Sequence, residues 1–142
     1  TSSIAGVMLA HIVYEQVDAT PAGFSPYWIE RELRSRIGFG GAVFSDDLSM
    51  KATETYGSMA ERARLSLDAG CDMVLVCNDR DAAHEAVDAL NEYTNPLSLV
   101  RLARLHGTGQ QLRESLLASD EWQTINARLR HLGDRPDFHL DA

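Results

Sequence analysis

The chain has 142 residues, of which 44% are hydrophobic and 24% charged, with a net charge of −8. That length accommodates one domain or part of one, and the composition is that of an ordinary globular protein. The acidic balance argues against a general binder of nucleic acid or of an anionic membrane surface, no apolar run approaches the roughly 20 residues of a membrane span, and the opening residues do not read as a secretory leader. Cys71 and Cys77 lie on or beside one apolar run. Extended chain between them holds the pair roughly 20 Å apart, too far for a disulfide. They suit a reducing cytosol, and no ligand cluster around them points to a metal.

In chain order, Ile4 to His11 is a compact apolar run and a buried-strand candidate. A polar loop with Pro21 and Gly23 follows. Ser25 and Pro26 then open a helix as N-cap and first helical residue; Trp28, Ile29, Leu33 and Ile37 fall close to helical spacing and Gly38 stops it. Gly41 to Phe44 is a second buried strand. Ser58 and Glu61 form a capping box for a helix from Met59 to Ala69, ended by Gly70. Met73 to Cys77 is a third apolar strand. Asp79 or Asp81 starts the next helix, with Ala82, Ala83, Val87 and Leu90 on its inner side. From Pro96 the chain reads as helical to Leu105 and, past Gly107-Thr108-Gly109, from Leu112 to about Leu132; residues 134–142 read as a loose tail.

Strands that start roughly 30 to 35 residues apart, with a helix in each interval, are the size of crossover units. Apolar runs without alternation imply burial on both faces and a parallel sheet. The class is α/β. Three units are about three-eighths of a (β/α)8 barrel, which needs about 250 residues; a complete small doubly wound sheet is the competitor, but three strands are few for this many helices. The expected arrangement is three adjacent parallel strands in chain order. In a closed barrel, the expectation is that Val7, Leu9, Val43, Phe44, Val74 and Val76 supply the inner face. The expected domain spans residues 1–133.

Each strand ends in polar residues: His11, then Ser45-Asp46-Asp47, then Asn78-Asp79. Parallel α/β sheets carry their sites at the carboxyl ends of strands. A histidine there is more often a hydrogen-bonded structural residue than a catalyst, and an aspartate after a strand is often a helix cap. Asp79 reads best as a cap. For Asp46 and Asp47, capping accounts for one carboxylate but not for two. Alternation sends them in opposite directions, one toward the mouth of the sheet as a nucleophile, base or ligand, the other into the surrounding structure. With His11 as the only companion, a metal is the weaker choice.

The run GFGGAVFSDDLSMKA, Gly38 to Ala52, resembles the Gly-Phe-x-Gly-(apolar)3-Ser-Asp-Asp-Leu-Ser-Met motif of bacterial β-N-acetylhexosaminidases of glycoside hydrolase family 3. VMLAHIVYEQVDATPAGFSPYWI, Val7 to Ile29, is similar to the family's Met-Pro-Ala-His segment and the loop and helix start after it, with Leu9 in place of the usual proline. AGCDMVLVCN, Ala69 to Asn78, is similar to its eighth-strand segment. The resemblance is strong from Val7 to about Asn78 and loose over the helical tail. It implies that this chain is the C-terminal part of a TIM-type barrel, strands six to eight with closing helices.

It further implies a retaining hydrolase for terminal β-linked N-acetylglucosamine, working on GlcNAc-anhydro-muramyl peptides in cytoplasmic cell-wall recycling. Asp46 matches the catalytic nucleophile, Met8 and His11 the sugar-pocket lining, and Asp47 a structural partner. No cofactor or metal is implied. The family's acid/base, a His–Asp pair on a loop after the fifth strand, has no counterpart in these residues, so the N-terminal part of the same enzyme is the implied partner and the isolated chain is expected to be inactive. A phosphorylase of the same family and a non-catalytic barrel fragment are the alternatives.

Overall fold

In the computed structural model of the protein, residues 4–107 and 112–132 are described. The chain divides into two compact units, residues 1–106 and 107–142. In the first, β1 (Gly6–Leu9), β2 (Ala42–Asp47) and β3 (Met73–Leu75) form a parallel sheet in the order β1-β2-β3. The order and direction are those expected from the apolar runs. The lengths differ. β1 is shorter than its run, and β2 continues through all three polar residues to Asp47. β3 stops at Leu75 because the main chain of Cys77 is bonded by side chains from the end of β2.

Two apolar clusters hold the strands to their crossovers. Val7, Leu9 and Val43 pack with Ile29, Leu33, Phe39, Ala69 and Cys71. Val74 and Val76 pack with Phe24, Leu48, Met59, Ala63 and Ala86. The expectation that six residues share one inner face is corrected. Val43 and Phe44 are successive and face opposite ways, and the five other than Phe44 belong to these crossover clusters. Phe44 lies in register between Met8 and Met73, which are 54% and 43% exposed. The flanking strands are therefore not buried on both faces within this chain.

The first crossover is a π-helix, Tyr27–Arg36, where sequence spacing points to an α-helix. Ser25 opens it: its hydroxyl accepts the Trp28 N–H and its carbonyl the Ile29 N–H. The i→i+5 winding persists to its end, where Ile37 N–H donates to Glu32 O at 2.9 Å. There Arg34 is held by the Phe39 and Gly41 carbonyls, at 3.1 and 2.6 Å, and by Asp72 at 2.6 Å. This anchorage is long-range, so local spacing could not report it.

The second crossover, α1 (Met59–Asp68), has the expected capping box between Ser58 and Glu61. Gly70 turns the chain at φ 113°, and a Cβ there would sit 2.4 Å from a Glu30 carboxylate oxygen. α2 (Arg80–Ala89) is capped by Asp79, which accepts the Ala82 N–H at 2.9 Å. Its packed side is Ala82, Ala86 and Leu90, an i, i+4 row; Val87, expected inside, is 67% exposed. α3 (Pro96–Ala103) starts on the Asn95 cap.

In the second unit, the single helix expected from Leu112 to Leu132 is two, α4 (Arg113–Ala118) and α5 (Asp120–Leu132). Ser119 breaks it: its backbone is extended, with ψ 142°, and its hydroxyl accepts the Trp122 N–H as a cap. The expected tail, 134–142, lies outside the described residues.

At the start of β3, the fully buried Asp72 carboxylate takes four donors: the Val43 N–H (2.8 Å), Arg34 (2.6 Å), Ser98 Oγ (2.7 Å) and Arg101 (2.9 Å). Burial pushes its pKa up, but the Ser98, Arg101 and Val43 donors and the Arg34 charge outweigh burial and hold it below the usual carboxylate value. A depressed folded pKa contributes stability that is present above the unfolded value of about 3.9 and is lost as pH falls through the folded one. Asp72→Ala strands the buried Arg34 and the half-buried Arg101 guanidinium groups and is expected to cost about 3–5 kcal/mol in urea denaturation of the full-length protein at neutral pH. The difference from the wild type should shrink as the pH is lowered below 4.

Candidate active site

The carboxyl end of the sheet brings together the residues singled out in the sequence. Met8 of β1 is in register with Phe44 of β2, two residues before Asp46. A Cβ on Gly6 would lie 2.9 Å from the Phe44 ring, so glycine there lets the ring lie across β1. His11, two residues past β1, places Nε2 3.1 Å from the Asp47 carbonyl oxygen. A carbonyl only accepts, so Nε2 is the protonated nitrogen. The ring stacks on Phe24 at 5.6 Å, and its buried Nδ1 has no partner among the described residues.

The adjacent aspartates have different surroundings. Asp47 Oδ1 accepts the N–H groups of Ser49 (2.9 Å) and Cys77 (3.0 Å), and the Ser49 hydroxyl lies 2.8 Å from both carboxylate oxygens. Burial acts to raise the Asp47 pKa, but these donors, with a smaller contribution from His11, bring it below the ordinary value. Asp46 accepts the N–H of Asp47 at 2.8 Å, and no other side-chain bond to it is made among the described residues. Donors around a carboxylate favour its ionised form, and the described residues supply Asp46 with one. Asp46 is half-buried.

Sequence reasoning missed Ser45 and Ser49, although both stand in the SDDLS run. Ser45 Oγ accepts the Leu75 N–H at 3.0 Å, and Ser49 Oγ lies 3.0 Å from the Cys77 carbonyl. The polar residues at 45, 47 and 49 thus reach β3 or the chain just beyond it, and Asp46 does not. The i, i+2 spacing was the available signal. After β1, the loop is gathered by Asp18, which accepts the Ser25 hydroxyl and the Thr20 N–H; the Ser25 bond does most to lower its pKa.

Cys71 is buried, which pushes its thiol up to about 11, so it is a packing residue and not a nucleophile. Among the described residues no three His, Cys, Asp or Glu side chains are grouped to hold a metal ion, and no helix is long and apolar enough to cross a membrane. A cleft of about 280 Å³ lies along β1, lined by Met8, Leu9, Ile12, Tyr14, Trp28 and Leu33 among others. Asp46 does not line it. The indole N–H of Trp28 is buried there without a partner among the described residues.

Residues 1–105 match the family model for the glycosyl hydrolase family 3 N terminal domain. The chain is 51% identical over 139 residues to a beta-hexosaminidase of Thioalkalivibrio sulfidiphilus, covering 98% of this chain and 40% of that protein. It is 43% identical over 133 residues to a beta-hexosaminidase of Methylococcus capsulatus, covering 93% and 40%. A crystal structure of NagZ from Neisseria gonorrhoeae in complex with N-trifluoroacetyl-D-glucosamine superposes with a TM-score of 0.74 at 39% identity, covering 92% of this chain and 37% of that one. The chain thus spans about 40% of the length of the curated relatives it matches.

Asp47→Ala leaves the Cys77 and Ser49 N–H groups without their acceptor. The expected cost is about 1–3 kcal/mol, read as a lower urea midpoint of the full-length protein with an unchanged m-value.

Proposed function

The chain belongs to glycosyl hydrolase family 3, and on that premise we propose that it carries the nucleophile of a retaining hydrolase that removes terminal β-linked N-acetylglucosamine. The observation that carries this reading is the division between the two carboxylates. Asp47 is saturated with donors from its own loop and from Cys77, whereas Asp46 holds one backbone donor at the end of β2. The Asp47 lone pairs are engaged by the loop and by Cys77; Asp46 keeps most of its own for an incoming carbon.

In the proposed reaction an Asp46 oxygen attacks the anomeric carbon. The bond from that carbon to the leaving oxygen breaks as an acid protonates the oxygen, and a glycosyl ester forms on Asp46. Water then attacks the same carbon, gives up its proton, and releases Asp46. Met8 and His11, at the end of the neighbouring strand, line the sugar pocket, Met8 as an apolar wall and His11 as a polar edge. The named relatives are beta-hexosaminidases, and a neighbour of similar structure was solved with an N-acylated glucosamine. The natural substrate on this reading is N-acetylglucosamine linked to an anhydro-muramyl peptide, in the cytoplasm.

We also infer that the chain supplies strands six to eight of a (β/α)8 barrel, and that the N-terminal part of the same enzyme supplies the other strands and the acid/base. The 40% coverage supports this, as do the outer strands β1 and β3, each with one edge unpaired among the described residues. The apolar cleft along β1, with its unpartnered indole N–H, is the surface such a part would cover.

In the full-length enzyme, Asp46→Ala is expected to lower kcat by several powers of ten with a chromogenic β-N-acetylglucosaminide, while substrate still binds. A variant that keeps more than about a tenth of the wild-type kcat identifies another carboxylate as the nucleophile. Residues 1–142 expressed alone are expected to show neither a cooperative unfolding transition nor turnover above an Asp46→Ala control. A folded, active monomer of that length would remove the need for the N-terminal part.

A further inference from the structure

The pairing of β2 with β3 contains an irregularity at the candidate nucleophile. Phe44 pairs with Met73 and Asp47 with Leu75, so three steps along β2 match two along β3. The extra residue falls in the interval that holds Ser45 and Asp46. Such bulges bend a strand and re-aim a side chain, at the cost of ladder bonds. Here those bonds are replaced by side chains. Ser45 Oγ accepts the Leu75 N–H, Asp47 Oδ1 accepts the Cys77 N–H, and Ser49 Oγ lies within 3.0 Å of the Cys77 carbonyl. The Leu48 N–H donates to the Leu75 carbonyl at 2.8 Å.

We propose that Ser49 is a positioning residue for the reaction, acting through Asp47 on Asp46; this rests on the reading of Asp46 as the nucleophile. The hydroxyl touches no part of the proposed sugar site. It stands between the Asp47 carboxylate and the Cys77 carbonyl, and its single proton is shared between acceptors at 2.8 and 3.0 Å. It therefore joins the loop after β2 to the chain after β3. The bond that reaches the nucleophile is the next one along: the N–H of Asp47 donates to Asp46 Oδ1 at 2.8 Å. Asp47 is thus held by its carboxylate on the β3 side, by its carbonyl from His11, and by its N–H to Asp46. Loss of the Ser49 hydroxyl leaves Asp47 Oδ2 without a donor among the described residues, while Oδ1 keeps the Ser49 and Cys77 N–H groups; the carboxylate can then turn, and the backbone N–H that orients Asp46 turns with it.

The test uses the full-length enzyme and compares Ser49→Ala, Ser49→Thr and Asp46→Ala with the wild type, using a chromogenic β-N-acetylglucosaminide across pH. A misplacement of about 1 Å at a reacting atom costs on the order of 100-fold. The expected result for Ser49→Ala is a kcat lower by about that factor, with KM within twofold to threefold on the order-of-magnitude scale of that principle. Ser49→Thr keeps the hydroxyl and should recover most of the loss. A Ser49→Ala enzyme with wild-type kcat overturns the proposal, as does a loss that Ser49→Thr does not recover, or one matched by a fall in the folded fraction in circular dichroism. An active Asp46→Ala variant would overturn the nucleophile reading itself. An inactive Asp46→Ala beside an unaffected Ser49→Ala removes only the role of Ser49.

Discussion

The Asp72 carboxylate fixes the framework from which the rest of the first unit is built. One buried anion joins four segments: β3 by its own backbone, β2 by the Val43 N–H, the π-helix by Arg34, and α3 by Ser98 and Arg101. Its cost is large unless every lone pair is used, and here both oxygens are used. Arg34 extends the same network to the Phe39 and Gly41 carbonyls, which sets where β2 can begin. At this end β2 and β3 are tied by charge-assisted bonds, and from there the strands run toward the other end with little freedom to slide.

At that other end a second carboxylate does a comparable job with different means. Asp47 takes backbone N–H groups in place of guanidinium groups, and it ties a loop instead of a helix. The strand pairing is irregular between the two anchors. Two fixed ends with one extra residue between them leave β2 no way to absorb that residue except by pushing a residue out of the ladder. Asp46 lies in that interval. It holds one donor there, whereas Asp47 takes two backbone N–H groups and the Ser49 hydroxyl and ties the loop after β2 to the chain after β3. The juxtaposition of two like charges follows from this division.

Local features were legible in the sequence because their physics is local. The Ser58–Glu61 capping box, the Asp79 cap and the turn at Gly70 each depend on residues within one helical turn. The parallel order of the strands was legible from apolar runs and the length of the crossovers. The failures share a different cause. The π winding of Tyr27–Arg36 ends on contacts to Asp72, 38 residues from Arg34. Asp72 itself sits in the run AGCDMVLV, where nothing nearby signals four donors. The inner row of α2 passes through Ala86 instead of Val87, a rotation decided by what α1 and Leu48 leave room for. The break at Ser119 had a local signal, a serine followed by two acids, but helical spacing on both sides obscured it. Of the site, the two aspartates were legible by position; the roles of Ser45 and Ser49 were not, because they depend on β3 ending at Leu75 and not at Cys77.

The buried ion network and the carboxylate proposed to react are therefore segregated along the strands. The buried ion network lies where β3 begins, and the half-exposed carboxylate lies where β2 ends. In parallel α/β architectures this separation lets the carboxyl ends carry strained or underbonded groups without loosening the sheet. The link between the two ends is the irregular register, since a regular ladder would pair the main chain around Asp46 fully and would not need Ser45, Asp47 or Ser49 as substitutes. The side chains that repair the ladder are two hydroxyls and a carboxylate, each bonded to the main chain of Leu75 or Cys77.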